Sequence, residues 1–379
     1  MDLFLCWEWS VSPGWDGCLV EVMHMFFPEV APLTAALRQG LLGRDEALAI
    51  FAGEGAVGEI NALLETLKRE GIRFFGGVFP GLIRGNIIEK TGFIVKRVPD
   101  FRCLYIIRDL RAGKDLASLV KFRGGRSALI LVDGTAPGIC SFLANLFALC
   151  GDGNFLGGGA GFSDFKEGNC LFAEDGFFRG GAVVAFFDRP LSLAVKHGWR
   201  KCRGPFIITK SAGNVIEEIN WEEAFPFYQR ILKYCGEEVT PENFLAVAAK
   251  YPIGLYKKGY EDIVRDPIKT DGSRITCVGE VPENALFYIL QGSREGLVGS
   301  AQQVAQTCMK NLTKPADCLV FDCISRALYL EDSFREEIDA ICQALAPLPA
   351  EGALTLGEIS SVGYGGISFL NKTVVVGGI

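Results

Sequence analysis

The chain of 379 residues is long enough for two or three domains, and its hydrophobic content of 49% can fill their cores. Its 38 basic and 45 acidic residues give a net charge of −7 without a basic stripe that could follow a phosphate backbone, so we expect no nucleic-acid partner. The sequence holds two histidines, His24 and His197, which leaves little acid–base or metal chemistry and favours recognition over turnover.

Residues 1–25 do not read as a targeting segment. A secretory signal requires Lys or Arg before its apolar run. Here acidic residues come early, and no Lys or Arg precedes the short apolar run. We predict an extra strand here, or an upstream extension with the natural start at Met23 or Met25. No apolar run in the chain approaches the roughly 18 residues of a membrane span, so we expect none.

The 13 cysteines include no Cys-x-x-Cys pair, and many stand in apolar contexts where a thiol acts as a small buried hydrophobe. This pattern predicts a protein of the reducing cytoplasm. The tightest pair, Cys318 and Cys323, has no further ligands nearby, so we predict no metal site.

One pattern recurs three times along the chain: strand, helix, glycine-containing strand, strand. The first unit comprises Ala47–Ala52, a helix over Val57–Glu70, Phe74–Phe79 and Phe93–Val98. The second comprises Ala128–Asp133, a helix over Gly138–Leu149, Phe155–Phe162 and Gly181–Phe187. The third comprises Cys318–Phe321, a helix over Phe334–Leu345, Ala353–Ile359 and Thr373–Val376.

Continuous apolar strands followed by helices indicate strands that are covered on both faces. We therefore predict an α/β protein in which repeated strand-helix-strand-strand units form mixed sheets covered by helices, in two domains. The glycines of Gly157–Gly161 follow a helix and enter a strand, which is the reverse of a phosphate-binding loop, so close packing is favoured over anion binding.

The segment from about residue 222 to 314 differs from the three units. It has predicted helices over Trp221–Tyr234, Pro241–Lys250 and Leu297–Asn311, and predicted strands over Ile263–Val264 and Arg274–Val278. A second domain is predicted to start near Trp221.

Nine short motifs in order carry a family resemblance over residues 45–376. They are Gly157-Gly-Gly-Ala-Gly161, Gly181-Ala-Val-Val184, His197-Gly-Trp-Arg200, Ala212-Gly-Asn-Val-Ile216, Val264-Arg-Asp-Pro267, Gly279-Glu-Val-Pro282, Phe321-Asp-Cys-Ile-Ser-Arg326, Gly357-Glu-Ile359 and Asn371-Lys-Thr373. The series resembles the FIST domain family (F-box and intracellular signal transduction). The resemblance implies an N-terminal FIST domain over residues 26–221 and a C-terminal FIST domain over residues 222–379, preceded by residues 1–25.

The resemblance implies an intracellular sensory module that binds a small ligand such as an amino acid. Some members of the family stand in front of histidine kinases, and some relatives are haem proteins that sense nitric oxide. No output domain follows within this sequence, so we expect the signal to pass to a separate partner, a histidine kinase or another signalling protein.

The candidate ligand-binding residues are His197, Trp199, Arg200, Asn214, Arg265, Asp266, Arg326, Glu358 and Asn371. Arg265 and Asp266 stand before Pro267, where the guanidinium either holds a ligand carboxylate or closes the fold in a buried pair with Asp266. Arg326 and Glu358 are predicted at strand ends, where ligand crevices form. With Asn214 and Asn371 they either read the ammonium and carboxylate of an amino acid or cap loops.

Two alternatives stay open. His197 is the one credible axial ligand for haem b, although a lone histidine also caps strand ends. A scaffold without a ligand is favoured if the candidate polar residues pair fully with one another. We do not expect an enzyme, because Cys323 and Ser325 lack a nearby histidine base.

Overall fold

The computed structural model describes residues 9–13, 19–23, 25–38, 46–111, 127–312, 317–361 and 365–379, and His24 lies outside them. Its helices are α1 (Val30–Arg38), α2 (Ile60–Arg69), α3 (Ile139–Cys150), α4 (Ala224–Lys233), α5 (Phe244–Ala248), α6 (Arg294–Asn311), α7 (Ile324–Leu330) and α8 (Phe334–Leu345), with 3₁₀ turns at Glu54–Glu59 and Glu331–Ser333.

The strands of the first half are β1 (Trp9–Pro13), β2 (Leu19–Met23), β3 (Phe26–Phe27), β4 (Ala47–Gly53), β5 (Phe74–Phe79), β6 (Gly81–Arg84), β7 (Ile87–Glu89), β8 (Phe93–Val98), β9 (Phe101–Ile107), β10 (Ser127–Asp133), β11 (Asn154–Ala160), β12 (Leu171–Ala173), β13 (Gly176–Phe178), β14 (Ala182–Phe187) and β15 (Ser192–Lys196). The remaining strands are β16 (Arg200–Ala212), β17 (Val215–Ile219), β18 (Glu222–Glu223), β19 (Ile253–Leu255), β20 (Ile263–Thr270), β21 (Ile275–Val278), β22 (Leu286–Gln291), β23 (Cys318–Cys323), β24 (Ala350–Thr355), β25 (Glu358–Ser360), β26 (Ser368–Leu370) and β27 (Val374–Gly378). β1 and β2 pair as an antiparallel ribbon within the predicted N-terminal extension.

The three predicted units are confirmed, and they share one topology. In each unit a central strand runs parallel to the strand that follows the helix and antiparallel to the last strand. These sets are β4 with β5 and β8, β10 with β11 and β14, and β23 with β24 and β27. The predicted mixed α/β sheets are therefore observed.

Each of the three sheets is completed by a hairpin from another unit. The hairpin β6–β7 of the first unit joins the sheet of the third, β12–β13 of the second joins the first, and β25–β26 of the third joins the second. The exchange is cyclic, so each sheet contains strands of two units. No unit can complete its sheet alone.

Helices cover one face of these sheets, and their other faces meet in a common core. Phe51 of β4 and Phe321 of β23 contact edge to face at 5.7 Å, and Leu129 and Leu131 of β10 belong to the same apolar cluster. α3 covers the second sheet, while α6 and α8 cover the third. None of the helices in the described part of the chain has the length and apolar character needed to cross a bilayer.

The segment between the second and third units forms a closed barrel. The strands follow the order β16, β22, β19, β20, β21, β17, and β17 pairs back to β16, with β18 appended. Closure removes exposed edges. The barrel begins at Arg200, and the predicted sequence boundary near residue 221 falls in its β17–β18 hairpin.

Some predicted elements differ from the observed ones. The predicted strand Ala353–Ile359 is two strands in different sheets, because Gly357 takes a φ of +99° and turns the chain under the ring of Phe369. The predicted helix Pro241–Lys250 shortens to α5. Trp221 starts no helix and occupies a turn with a φ of +63°.

The glycine motifs serve close packing at equivalent places. Gly76, Gly157 and Gly352 stand opposite Ile50, Ile130 and Val320 of the three central strands. A Cβ on these glycines would lie 2.1, 1.7 and 1.9 Å from the opposing carbonyl oxygens. Only a residue without a side chain allows this approach.

Replacement of Gly157 by alanine is expected to lower the free energy of unfolding by at least about 3 kcal/mol, because the new Cβ collides with main chain in a packed sheet. The control is Gly58→Ala, whose Cβ would meet nothing within 4 Å. Urea unfolding measures both variants, and equal losses would contradict the packing role.

Candidate functional site

Polar side chains gather where β15 leads into the barrel, β23 ends, and β26 turns into β27. We call this set the buried polar cluster. It consists of His197, Trp199, Asp266, Asp322, Arg326, Glu337, Thr355, Glu358, Asn371, Lys372 and Thr373, each at most 6% exposed. The cluster combines side chains from the end of the first sequence half, the barrel and the third unit.

Arg326 is the centre of the cluster. It lies in α7, and its guanidinium is fully buried. Two N–H groups donate to the carboxylate of Glu337 on α8 at 2.7 and 2.8 Å. The others donate to backbone carbonyl oxygens of His197 at 2.6 Å, Lys372 at 3.2 Å and Leu297 at 3.1 Å. Because its five donors have protein partners, Arg326 positions the cluster and is not available to a ligand.

Three carboxyl groups surround this one guanidinium. Asp322 approaches Arg326 Nε at 3.4 Å, but neither of its oxygens has a hydrogen-bond donor among the described residues. Burial, and then the neighbouring Glu337 carboxylate, raise the pKa of Asp322 well above its usual value. Burial also raises the pKa of Glu358 to about 8. Burial therefore favours the neutral form of Asp322 and Glu358, and Glu337 is the carboxylate that accepts two hydrogen bonds from Arg326.

The hydrogen bonds of Thr355 agree with a protonated Glu358. Thr355 Oγ1 lies 2.8 Å from Glu358 Oε1 and 3.3 Å from the carbonyl oxygen of Asp322. A hydroxyl has one proton, so it cannot donate to both acceptors. If the protonated carboxyl group of Glu358 donates to Thr355 Oγ1, the Thr355 hydroxyl can donate its own proton to the backbone carbonyl oxygen of Asp322. Both contacts are then satisfied.

Lys372 is a buried cation that the sequence analysis did not select. Its Nζ lies 3.2 Å from Asp266 Oδ2 and 5.2 Å from the centre of the Trp199 ring. Its backbone takes a φ of +52°, and its carbonyl oxygen accepts hydrogen bonds from Trp199 Nε1 and Arg326. Lys372 is the middle residue of the motif Asn371-Lys-Thr373, which the sequence analysis quoted. It was not selected because a lysine is ordinarily expected to be exposed to solvent.

Asn371 precedes Lys372 in the same turn. Its backbone oxygen accepts a hydrogen bond from Thr373 Oγ1 at 2.7 Å. Its side-chain oxygen Oδ1 is buried and has no hydrogen-bond partner among the described residues. A buried acceptor without a donor is costly in a folded protein.

His197 is neutral and largely enclosed. Its Nδ1 accepts a hydrogen bond from the backbone N–H of Trp199 at 2.9 Å, which leaves the proton on Nε2. Burial, and then Arg326, lower its pKa to about 3. Nε2 lies 3.8 Å from Glu261 Oε2, so Glu261 occupies the side from which an iron would approach.

Haem does not fit His197 in this arrangement. Haem iron binds an unprotonated imidazole nitrogen, but Nε2 carries the proton here, and an iron–porphyrin on Nε2 also requires Glu261 to move away. The polar edge around Glu261, with Lys196, Lys201 and Asp262, also differs from the apolar walls that a porphyrin needs. The described residues contain no group of three or more His, Cys, Asp or Glu placed to bind a metal ion.

Two family models match the chain. The FIST N domain matches residues 88–222, and the FIST C domain matches residues 224–361. The chain belongs to the FIST family. FIST domains are sensory domains of signal transduction. A search of curated proteins finds no match.

The structure of this FIST protein distributes the nine candidate residues unevenly. His197, Trp199, Asp266, Arg326, Glu358 and Asn371 lie in the buried polar cluster. Arg265 lies beside it but does not pair with Asp266. Its guanidinium donates to the carbonyl oxygens of Glu280, Val264 and Phe369 and approaches Cys140 Sγ at 3.5 Å, so it joins the barrel to β26 and α3.

Arg200 and Asn214 stand apart from the cluster. Arg200 is an exposed residue at the start of β16, opposite Gln291. Asn214 is exposed in the turn between β16 and β17, where its Nδ2 donates to the carbonyl oxygen of Cys277 at 2.9 Å. Asn214 therefore caps this hairpin in the structure.

The free energy of unfolding of this FIST protein is expected to fall as pH rises from about 4.5 to about 8. An unfolded glutamate releases its proton near 4.5, whereas folded Glu358 holds it to about 8, so the folded state binds more protons in this window. The stabilisation that Glu358 contributes is fully present below pH 4.5 and is lost as the pH rises through 8. Glu358 adds a slope of up to about 1.4 kcal/mol per pH unit.

Urea unfolding at several pH values measures this slope. Glu358→Gln is expected to remove the Glu358 contribution to this slope, because the amide mimics the protonated carboxyl group. Glu65→Gln, on the exposed face of α2, is the matched control and should keep it. An unchanged slope in Glu358→Gln would show that Glu358 is charged in the folded protein.

Proposed function

We propose that this FIST protein binds a small metabolite of the amino-acid class at the buried polar cluster and signals to a separate partner protein. Asn371 Oδ1, which has no hydrogen-bond partner among the described residues, carries the ligand part of the proposal, and the next residue in the chain is the buried cation Lys372. An amino acid supplies the complementary groups, since its ammonium can donate to Asn371 and its carboxylate can accept from Lys372.

The position of the cluster supports a sensory role. Asp266 belongs to β20 of the barrel, whereas Lys372 belongs to the turn between β26 and β27 of the third unit. A ligand that competes for Lys372 would loosen its pair with Asp266. The barrel would then shift relative to the three sheets, and a partner protein could detect the shift.

The scaffold alternative has some support in the same geometry. Arg326 and Arg265 are paired with protein groups, as that alternative requires. Asn371 Oδ1 distinguishes the two, because a cluster built only for stability gains nothing from an unsatisfied acceptor. Ligand binding therefore has to be measured directly.

At least one amino acid of a standard panel is expected to bind wild-type protein in isothermal titration calorimetry and to raise its melting temperature. Asn371→Ala should weaken that affinity by about tenfold or more, the value of a charge-assisted hydrogen bond. Since Oδ1 has no partner among the described residues, the melting temperature of the ligand-free variant should change little.

Two further variants complete this experiment. Lys372→Met should weaken binding as well, whereas Ser127→Ala should not, because Ser127 Oγ is also buried without a partner among the described residues but lies at the start of β10. Haemin is included in the panel. A Soret band that His197→Ala abolishes would favour the haem alternative, and failure of every compound to bind would favour the scaffold.

For the partner, the structure offers an exposed aromatic side chain at the β17–β18 turn. Trp221 is 78% exposed and has a φ of +63°, next to Asn220 with a φ of +50°. A bulky residue in this left-handed region costs about 1–2 kcal/mol, and such strain concentrates at functional sites.

The carboxylates on the adjacent strands are Glu217, Glu218, Glu222 and Glu223. Glu217 pairs with Lys210 and Glu222 pairs with Arg230. An exposed aromatic side chain between two strands that carry this acidic surface suits a partner segment rich in Arg or Lys.

Trp221→Gly is expected to raise the free energy of unfolding by about 1 kcal/mol, because glycine removes the backbone strain while little buried surface is lost. Trp221→Ala is the matched control, since it removes the ring but keeps the strain. Urea unfolding measures both. A glycine variant that is no more stable than the alanine variant would mean that Trp221 is not held at a cost.

A further inference from the structure

The strand that leaves the buried polar cluster contains a β-bulge at Cys202. In the pairing of β16 with β22, Lys201 stands opposite Leu290 and Arg203 stands opposite Ile289, so Cys202 is an extra residue without an opposite partner. A bulge redirects the side chain of the extra residue. It thus sets the direction of this thiol.

The thiol of Cys202 lies against a second thiol. Cys235 follows the C-terminus of α4, and its backbone N–H donates to the carbonyl oxygen of Leu232 at 2.8 Å. The two Sγ atoms are 3.6 Å apart, and both side chains are partly exposed. A disulfide needs a separation of about 2.05 Å, so the sulfurs must approach by about 1.5 Å, which small side-chain rotations can supply.

Arg203 holds the two backbone segments together. Its guanidinium donates to the carbonyl oxygen of Cys202 at 3.1 Å and to that of Tyr234, the residue before Cys235, at 3.0 Å. The thiols are therefore held in contact by the fold in the reduced protein. The sequence alone could not show this pair, because its members are 33 residues apart.

We propose that Cys202 and Cys235 form a reversible disulfide by exchange with a low-molecular-weight disulfide. The Cys202 thiolate attacks one sulfur of the small disulfide, forms a mixed disulfide and releases one small thiolate. Cys235 gives its proton to that released thiolate and attacks Cys202 Sγ, which releases the second small thiolate. Two protein thiols are oxidised to one disulfide, and the small disulfide is reduced to two thiols.

The order of attack follows from the surroundings of Cys235. Burial, and then the hydrogen bond that the Cys235 thiol donates to Cys202, raise the pKa of the Cys235 thiol to about 11. Cys235 therefore stays protonated at neutral pH, and Cys202 is the thiol that meets the small disulfide first. The product links β16 to the end of α4 and fixes the bulge that lies three residues after Trp199.

The test uses the full chain, equilibrated in glutathione buffers of increasing oxidised fraction. Free thiols are then alkylated, and the peptides are identified by mass spectrometry. A crosslinked peptide containing Cys202 and Cys235 is expected, and it should disappear when excess reduced glutathione is added. The oxidised protein should melt several degrees higher than the reduced protein, because the crosslink restricts the unfolded chain.

Single serine variants separate the two roles. Cys235→Ser should accumulate glutathione on Cys202, whereas Cys202→Ser should show neither the crosslink nor a redox-dependent melting temperature. Cys342→Ser, a partly exposed thiol on α8, is the matched control and should behave as wild type. Arg203→Ala should shift the ratio of oxidised to reduced glutathione at which half of the protein is crosslinked, by several-fold toward more oxidised buffer. Absence of the Cys202–Cys235 crosslink at every buffer ratio, or crosslinks among other cysteines alone, would overturn the proposal.

Discussion

The buried guanidinium of Arg326 is the contact on which the centre of the molecule depends. It joins α7 and α8 of the third unit to the start of α6 at Leu297, to the backbone of His197 at the entry to the barrel, and to the turn at Lys372. Breaking a buried pair of this kind typically costs about 3–5 kcal/mol, because a charge is left unpaired. The backbone geometry of both His197 and Lys372 is thus held by a residue that no ligand needs to touch.

The cyclic exchange of hairpins makes the rest of the fold respond together. Each sheet contains strands of two units, and Lys96 of the first unit pairs with Glu351 of the third inside the core. A displacement at one sheet therefore reaches the other two through shared hydrogen bonds. The barrel is the part outside this exchange, held by contacts such as Arg265 with Phe369 and Asp266 with Lys372. A relative movement of the barrel changes these contacts without breaking a sheet, which suits a sensor.

The sequence predicts the three units because their strands are continuous apolar runs and two of their helices, α2 and α8, are amphipathic. It does not predict the hairpin exchange, because β6, β12 and β25 have only three or four residues and their partners are chosen by tertiary packing. In the site, Arg326 and Glu358 were found from short motifs. Glu337 was missed because a glutamate on an amphipathic helix is normally on the solvent face. The contact between Cys202 and Cys235 was not predicted, because it depends on a β-bulge that has no local sequence signal.

The proposed ligand is a zwitterion, and charge balance supports this choice over a ligand with a net charge. Among its described members, the cations Arg326 and Lys372 face the carboxyl groups Asp266, Asp322, Glu337 and Glu358. Burial favours the neutral forms of Asp322, Glu358 and His197, and the two cations form ion pairs with Glu337 and Asp266. A ligand with a net charge would leave one charge unbalanced in a buried site, which is expensive. An amino acid adds one charge of each sign, so it can separate Lys372 from Asp266 and replace both partners while the site stays neutral.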